Sequence, residues 1–104
     1  MTLAPNSAEA RDIAYHFHSY TNAMAHADQG PQIMENAEGV YVFDNQGKKY
    51  IEAMAGLWYV AVGFGEQRLI QAATQQMEKM PYYHNFAHRA HPAAIDLAEK
   101  LVSM

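Results

Sequence analysis

The run Ala53-Met54-Ala55-Gly56-Leu57-Trp58-Tyr59-Val60-Ala61-Val62-Gly63-Phe64-Gly65 limits what this chain can become more than any other stretch. It is nearly all apolar, so water disfavours leaving it exposed. It carries three glycines and the chain's only tryptophan, and glycine interrupts helix and strand alike. The run therefore predicts an irregular, largely buried segment with close backbone approaches, for which other elements must supply cover. A chain of 104 residues has the size of one small domain and can bury about two thirds of its unfolded surface.

The flanking sequence supplies helices and a hairpin. Asn6 followed by Glu9 fits a capping box. Ile13, Phe17, Tyr20 and Met24 then fall on one helical face, and Gly30-Pro31 stops the pattern. Gln32–Glu35 reads as a short extended piece. Gly39–Phe43 and Lys48–Glu52 read as strands joined by Asp44-Asn45-Gln46-Gly47, a turn with glycine available for positive φ. Beyond the apolar run, Leu69, Ala73, Met77 and Met80 mark a helix from about Glu66 that Pro81 ends. Pro92 suits a helix start, and Ile95, Ala98, Leu101 and Val102 form its apolar stripe. The expected architecture is α+β: a helix, a β-hairpin and two further helices. A lone hairpin needs more strands or a cover to be stable, and no later segment covers the last stripe, so residues 1–104 read as an incomplete unit.

Composition narrows the classes of function. Half of the residues are hydrophobic and 17% are charged, which excludes wholesale disorder. No run approaches the roughly 20 apolar residues of a membrane helix, and the N-terminus lacks the pattern of a secretory signal. Without cysteine there is no disulfide framework or thiolate zinc site. A net charge of −4 argues against a nucleic-acid surface. A soluble, mildly acidic, cytoplasmic protein with no nucleic-acid or membrane partner is expected.

Few residues suggest chemistry on their own. His84, His88 and His91 have helical spacing for a metal, but Pro81 and Pro92 favour a loop and no carboxylate accompanies them. His16 and His18, two apart, would face away from each other on a helix. Gly63-Phe64-Gly65 before a helix could present amides to a phosphate, but it lacks the rest of a dinucleotide or P-loop fingerprint and reads as a packing turn. The serines, Ser7, Ser19 and Ser103, lie in no nucleophile elbow. No catalytic residue and no metal ligand is assigned. The aromatics Tyr20, Trp58, Tyr59 and Phe86 sit in glycine-rich or loop settings where side chains can line a pocket.

The order of these pieces resembles the N-terminal part of class III (omega) aminotransferases, pyridoxal-phosphate enzymes of fold type I. The resemblance begins at His16-Phe17-His18-Ser19-Tyr20-Thr21-Asn22, with Ser19 where the family usually has proline. It becomes specific in the hairpin Glu38–Glu52 and continues through Ala55-Gly56-Leu57-Trp58, Val62–Gly65, Tyr83-His84-Asn85-Phe86 and His91-Pro92-Ala93. The Gly-Leu-Trp is most similar to the omega-amino acid:pyruvate (amine:pyruvate) branch.

The resemblance implies an α/β transferase architecture, of which this chain is one segment. It implies transfer of an amino group from an amine or omega-amino acid to a keto acid such as pyruvate, with pyridoxal 5'-phosphate as cofactor, in a homodimer. Positions matching Tyr20, Leu57, Trp58 and Phe86 line the substrate pocket, and Phe86 matches a residue that reaches the partner subunit's site. In the family, the cofactor-binding lysine, the aspartate at the ring nitrogen and the phosphate site lie downstream of the part this chain resembles. Lys48, Lys49, Lys79 and Lys100 do not substitute, and the chain alone is expected to be inactive. The alternative is a small interaction or oligomerisation module without catalysis.

Overall fold

The computed structural model describes residues 3–104, which fall into two compact units that divide between Gly65 and Glu66. The first unit opens with α1, Ala8–Tyr15. Ser7 caps it, its hydroxyl accepting from the Ala10 amide at 3.2 Å. The expected cap, Asn6, instead adopts a positive φ of 61° one residue earlier.

The long first helix expected from Ile13, Phe17, Tyr20 and Met24 is two helices. α1 ends at Tyr15, and α2, Ala23–Gln29, starts afresh behind Asn22, whose side chain accepts from the Ala25 amide at 3.1 Å. Ser, Thr and Asn side chains compete with the helix for backbone partners. Here the Thr21 hydroxyl donates to the Ser19 carbonyl at 2.9 Å, and Tyr20 takes a φ of 53°. Phe17 and Tyr20 therefore lie outside both helices. Gly30 ends α2 as expected, with a φ of 76°.

Three antiparallel strands follow in the order β1-β2-β3: β1 Met34–Glu38, β2 Tyr41–Asp44 and β3 Lys49–Ile51. The hairpin β2–β3 matches the sequence reading, and the extended piece near Gln32–Glu35 is a full third strand that reaches Glu38. Val42 pairs with Ala37 on one side and Tyr50 on the other. The Asp44 carboxylate organises the turn: it accepts from the Tyr50 hydroxyl at 2.8 Å and from the amides of Lys48 at 2.9 Å and Gln46 at 3.0 Å. The Tyr50 hydroxyl above all, then the Lys48 amide, hold this carboxyl below the usual aspartate range against the effect of burial.

The second unit holds α4, Gln67–Lys79, and α5, Pro92–Val102. The Glu66 carboxylate accepts from the Arg68 amide at 3.1 Å to cap α4, and Pro92 opens α5 as anticipated. Among the described residues only Val42 and Asp44 are buried. One buried valine cannot offset the ordering of the whole chain, so the apolar residues of this α+β segment need cover from outside it.

Candidate functional site

Most of the apolar run is exposed, which overturns the expectation of a largely buried segment: Leu57 is 58% and Trp58 83% exposed. The physical reason is that no second layer packs over it among the described residues. Its geometry is nonetheless specific. α3, Ala55–Trp58, is a single turn whose φ angles are 49° at Ala55, 58° at Gly56, 62° at Leu57 and 71° at Trp58. Those values are left-handed, a conformation that costs an L-residue about 1–2 kcal/mol. Only Gly56 adopts it without a Cβ penalty. The amides of Trp58 and Tyr59 close the turn on the carbonyls of Met54 and Ala55, at 2.9 and 3.0 Å.

The run then returns to the sheet. Phe64 and Gly39 exchange both backbone hydrogen bonds, at 2.8 and 3.0 Å. A Cβ on Gly63 would lie 3.1 Å from the Gly39 carbonyl oxygen, and Gly63 has a φ of 89°. This is the close approach expected of the run. The Phe64 amide is committed to Gly39, so Gly63–Gly65 is a packing turn. A cavity of about 450 Å³ beside it is lined by Gly39, Val40, Glu52, Ala55, Val60 and Phe64, among others.

Three of the four expected pocket residues, Tyr20, Leu57 and Trp58, belong to the first unit and Phe86 to the second. Tyr20 stands in the break between α1 and α2, fully exposed. Phe86 stacks on His84 with ring centroids 4.0 Å apart, and His84 on Tyr83 at 4.7 Å, within the loop before α5.

The lysines offer a direct test of whether the chain can anchor an aldehyde cofactor. Lys49 sits over the Tyr41 ring at 3.5 Å and Lys48 over Tyr50 at 4.9 Å. Lys79 and Lys100 lie in the last turns of α4 and α5, and all four are exposed. A lysine that condenses with a carbonyl needs a desolvated or electropositive site, and none of these has one. The residues present do not fit the role of covalent anchor.

A second constellation was not legible in the sequence. The end of α1 at Tyr15 turns His16 and His18 toward the same group instead of apart. Asp12 Oδ1 lies 2.9 Å from His16 Nδ1 and 3.0 Å from His18 Nε2, and Asp12 Oδ2 lies 2.8 Å from His26 Nε2. Desolvation raises the Asp12 carboxyl, but the hydrogen bonds from His16, His18 and His26 outweigh it and bring it down to about 2.

Residues 23–104 match the family model described as aminotransferase class-III. The chain is 41% identical to a putrescine–pyruvate aminotransferase of Pseudomonas aeruginosa, over 86% of this chain and 20% of that one. Its structure is similar to that of an omega transaminase from Pseudomonas jessenii in complex with PMP, with a TM-score of 0.92 and 56% identity over 95% of this chain and 22% of that one. It is equally similar, at a TM-score of 0.92 and 55% identity over 94% of this chain and 22% of that one, to a thermostable omega transaminase variant in which a tryptophan is replaced by glycine, engineered for asymmetric synthesis of enantiopure bulky amines. The chain thus spans about a fifth of the length of the relatives it matches, and no helix among its described residues is long and apolar enough to cross a membrane. This α+β segment of the fold type I architecture belongs to the class-III aminotransferase family.

Proposed function

We propose that the chain forms the N-terminal wall of the substrate pocket of a pyridoxal-phosphate-dependent omega-aminotransferase. That enzyme transfers an amino group from an amine or omega-amino acid to a keto acid such as pyruvate. The observation that carries the reading is the left-handed turn Ala55–Trp58. Backbone strain of this kind is concentrated at functional sites, and here it falls on Leu57 and Trp58, consecutive residues that are both exposed. Leu57 and Trp58 act as apolar walls that accept the body of the amine and exclude water, with Tyr20 from the α1–α2 break. Trp58, the largest of them, limits the substituent on the small side of the pocket. The exposed apolar surface supports the reading, because it is a face that a larger body covers.

The cofactor supplies the electron sink of the reaction. The exposed lysines of residues 1–104 do not fit its covalent anchor, and the chain alone is expected to give no turnover. A cytoplasmic homodimer, with Phe86 reaching the partner's site, follows from the family resemblance.

The test is a chimera in which residues 1–104 replace the matching segment of the Pseudomonas jessenii enzyme. It is expected to retain turnover of an arylalkyl amine with pyruvate, and Trp58→Gly in it is expected to shift preference toward bulky amines. An active chimera whose amine-size preference is unmoved by Trp58→Gly overturns the assignment.

A further inference from the structure

We propose that Asp12, His16 and His18 form a three-ligand site for a borderline divalent transition-metal ion such as Zn2+, with His26 positioning the carboxylate. One ligand atom from each of the three lies within 4.8 Å of the others. Zinc takes imidazole nitrogen and carboxylate oxygen at about 2.0–2.1 Å, so tetrahedral ligand atoms stand about 3.3 Å apart. The contacts of Asp12 Oδ1 with His16 Nδ1 and His18 Nε2, at 2.9 and 3.0 Å, need to open by only a few tenths of an ångström. The His16 and His18 rings lie together, 4.3 Å apart between centroids.

The remaining members of the cluster complete the arrangement. A ligating carboxylate is ordinarily held by a further hydrogen bond on its other oxygen. His26 Nε2 supplies that bond to Asp12 Oδ2 at 2.8 Å. Asp12 and His26 are shielded, with side chains 13% and 15% exposed, whereas His16 is 67% exposed and leaves an approach for the ion. A groove of about 340 Å³ runs beside the cluster and is lined in part by Ile13, Phe17, Thr21 and Ala27, leaving room for a water as fourth ligand. Two imidazoles and one carboxylate suit zinc or its first-row neighbours and do not suit magnesium, which takes oxygen ligands.

The test is calorimetric titration of the full chain with ZnCl2, together with Co2+ absorption spectroscopy. One equivalent of Zn2+ is expected, unaffected by excess Mg2+, and Co2+ is expected to give the intense visible bands of a low-coordinate nitrogen–oxygen site. His16→Gln and His18→Gln should each weaken binding by more than about tenfold, and His26→Gln by a smaller factor. The combined variant His84→Gln, His88→Gln, His91→Gln should bind as the parent does. Circular dichroism verifies that each variant keeps the parent's secondary structure. Absence of saturable binding, binding unchanged by His18→Gln, or binding lost in the loop variant overturns the proposal.

Discussion

His26 Nε2 lies 2.8 Å from Asp12 Oδ2, a contact between residues fourteen positions apart that ties α2 back onto α1 across the broken segment 16–22. The bond joins two short helices that have no buried residue of their own. Asp12→Asn is expected to loosen that tie, because an amide oxygen is a weaker acceptor than a carboxylate for several imidazole donors. Amide hydrogen exchange in Ala23–Gln29 should quicken by roughly tenfold, while exchange in the β2–β3 hairpin stays as it was. Uniform acceleration across the chain would show that Asp12 acts globally instead.

The Asp44 carboxyl makes the hairpin sensitive to acid. Its folded pKa is depressed by the Tyr50 hydroxyl first and then by the Lys48 amide. A depressed carboxyl contributes stability that is present above its unfolded value, about 3.9, and that is lost as pH falls through the folded value. The hairpin should therefore hold between pH 7 and about pH 5 and weaken progressively below about pH 4. Hairpin amide shifts followed by NMR check this, and Asp44→Asn should flatten the dependence. A parent hairpin with no loss of order in acid would contradict it.

Gly63 should resist a side chain. A Cβ there meets the Gly39 carbonyl oxygen at 3.1 Å, and the φ of 89° is itself unfavourable for an L-residue. The obstacle is backbone that already pairs with Phe64, so it cannot swing away. In the chimera, where the rest of the enzyme supplies cover, Gly63→Ala should cost about 1–2 kcal/mol in chemical denaturation. Gly47→Ala, with a φ of 79° but nothing within 4 Å, should cost less. Equal losses would mean that the backbone angle alone matters.

Where the determinants are adjacent in the chain, the sequence was legible. Asp44, Gly47 and the apolar strands around them lie within a dozen residues, so turn chemistry and pairing could be read together. Pro81 and Pro92 marked their helix boundaries for the same local reason. The break after Tyr15 was not legible, since the apolar spacing of Ile13, Phe17, Tyr20 and Met24 is perfectly helical. What decides against that helix is the capping by Asn22 and the hydrogen bond within Ser19–Thr21. The Asp12–His16–His18 cluster was hidden in turn, because it exists only if the helix stops there. The Gly-Leu-Trp motif singled out Trp58, but the left-handed backbone at that position was not legible. Only Gly56 signals such a conformation, and Leu57 and Trp58 enter it against their intrinsic preference.

That conflict gives a prediction that separates strain from ordinary turn formation. Leu57 holds a φ of 62° and a ψ of 55° while 58% exposed, so its side chain contributes little packing to compensate. Leu57→Gly removes the Cβ clash and should stabilise the chimera by up to about 1 kcal/mol, the relief being partly offset by the greater freedom of glycine in the unfolded chain. Leu57→Val, with branching at Cβ, is the least suited to this region and should destabilise. The expected order in denaturant midpoint is Gly above Leu above Val, the reverse of their order in hydrophobic burial for Gly and Leu. In the active chimera, the proposed pocket role predicts that Leu57→Gly lowers turnover even as stability rises. A variant that is more stable and equally active would show that the strained turn serves neither purpose.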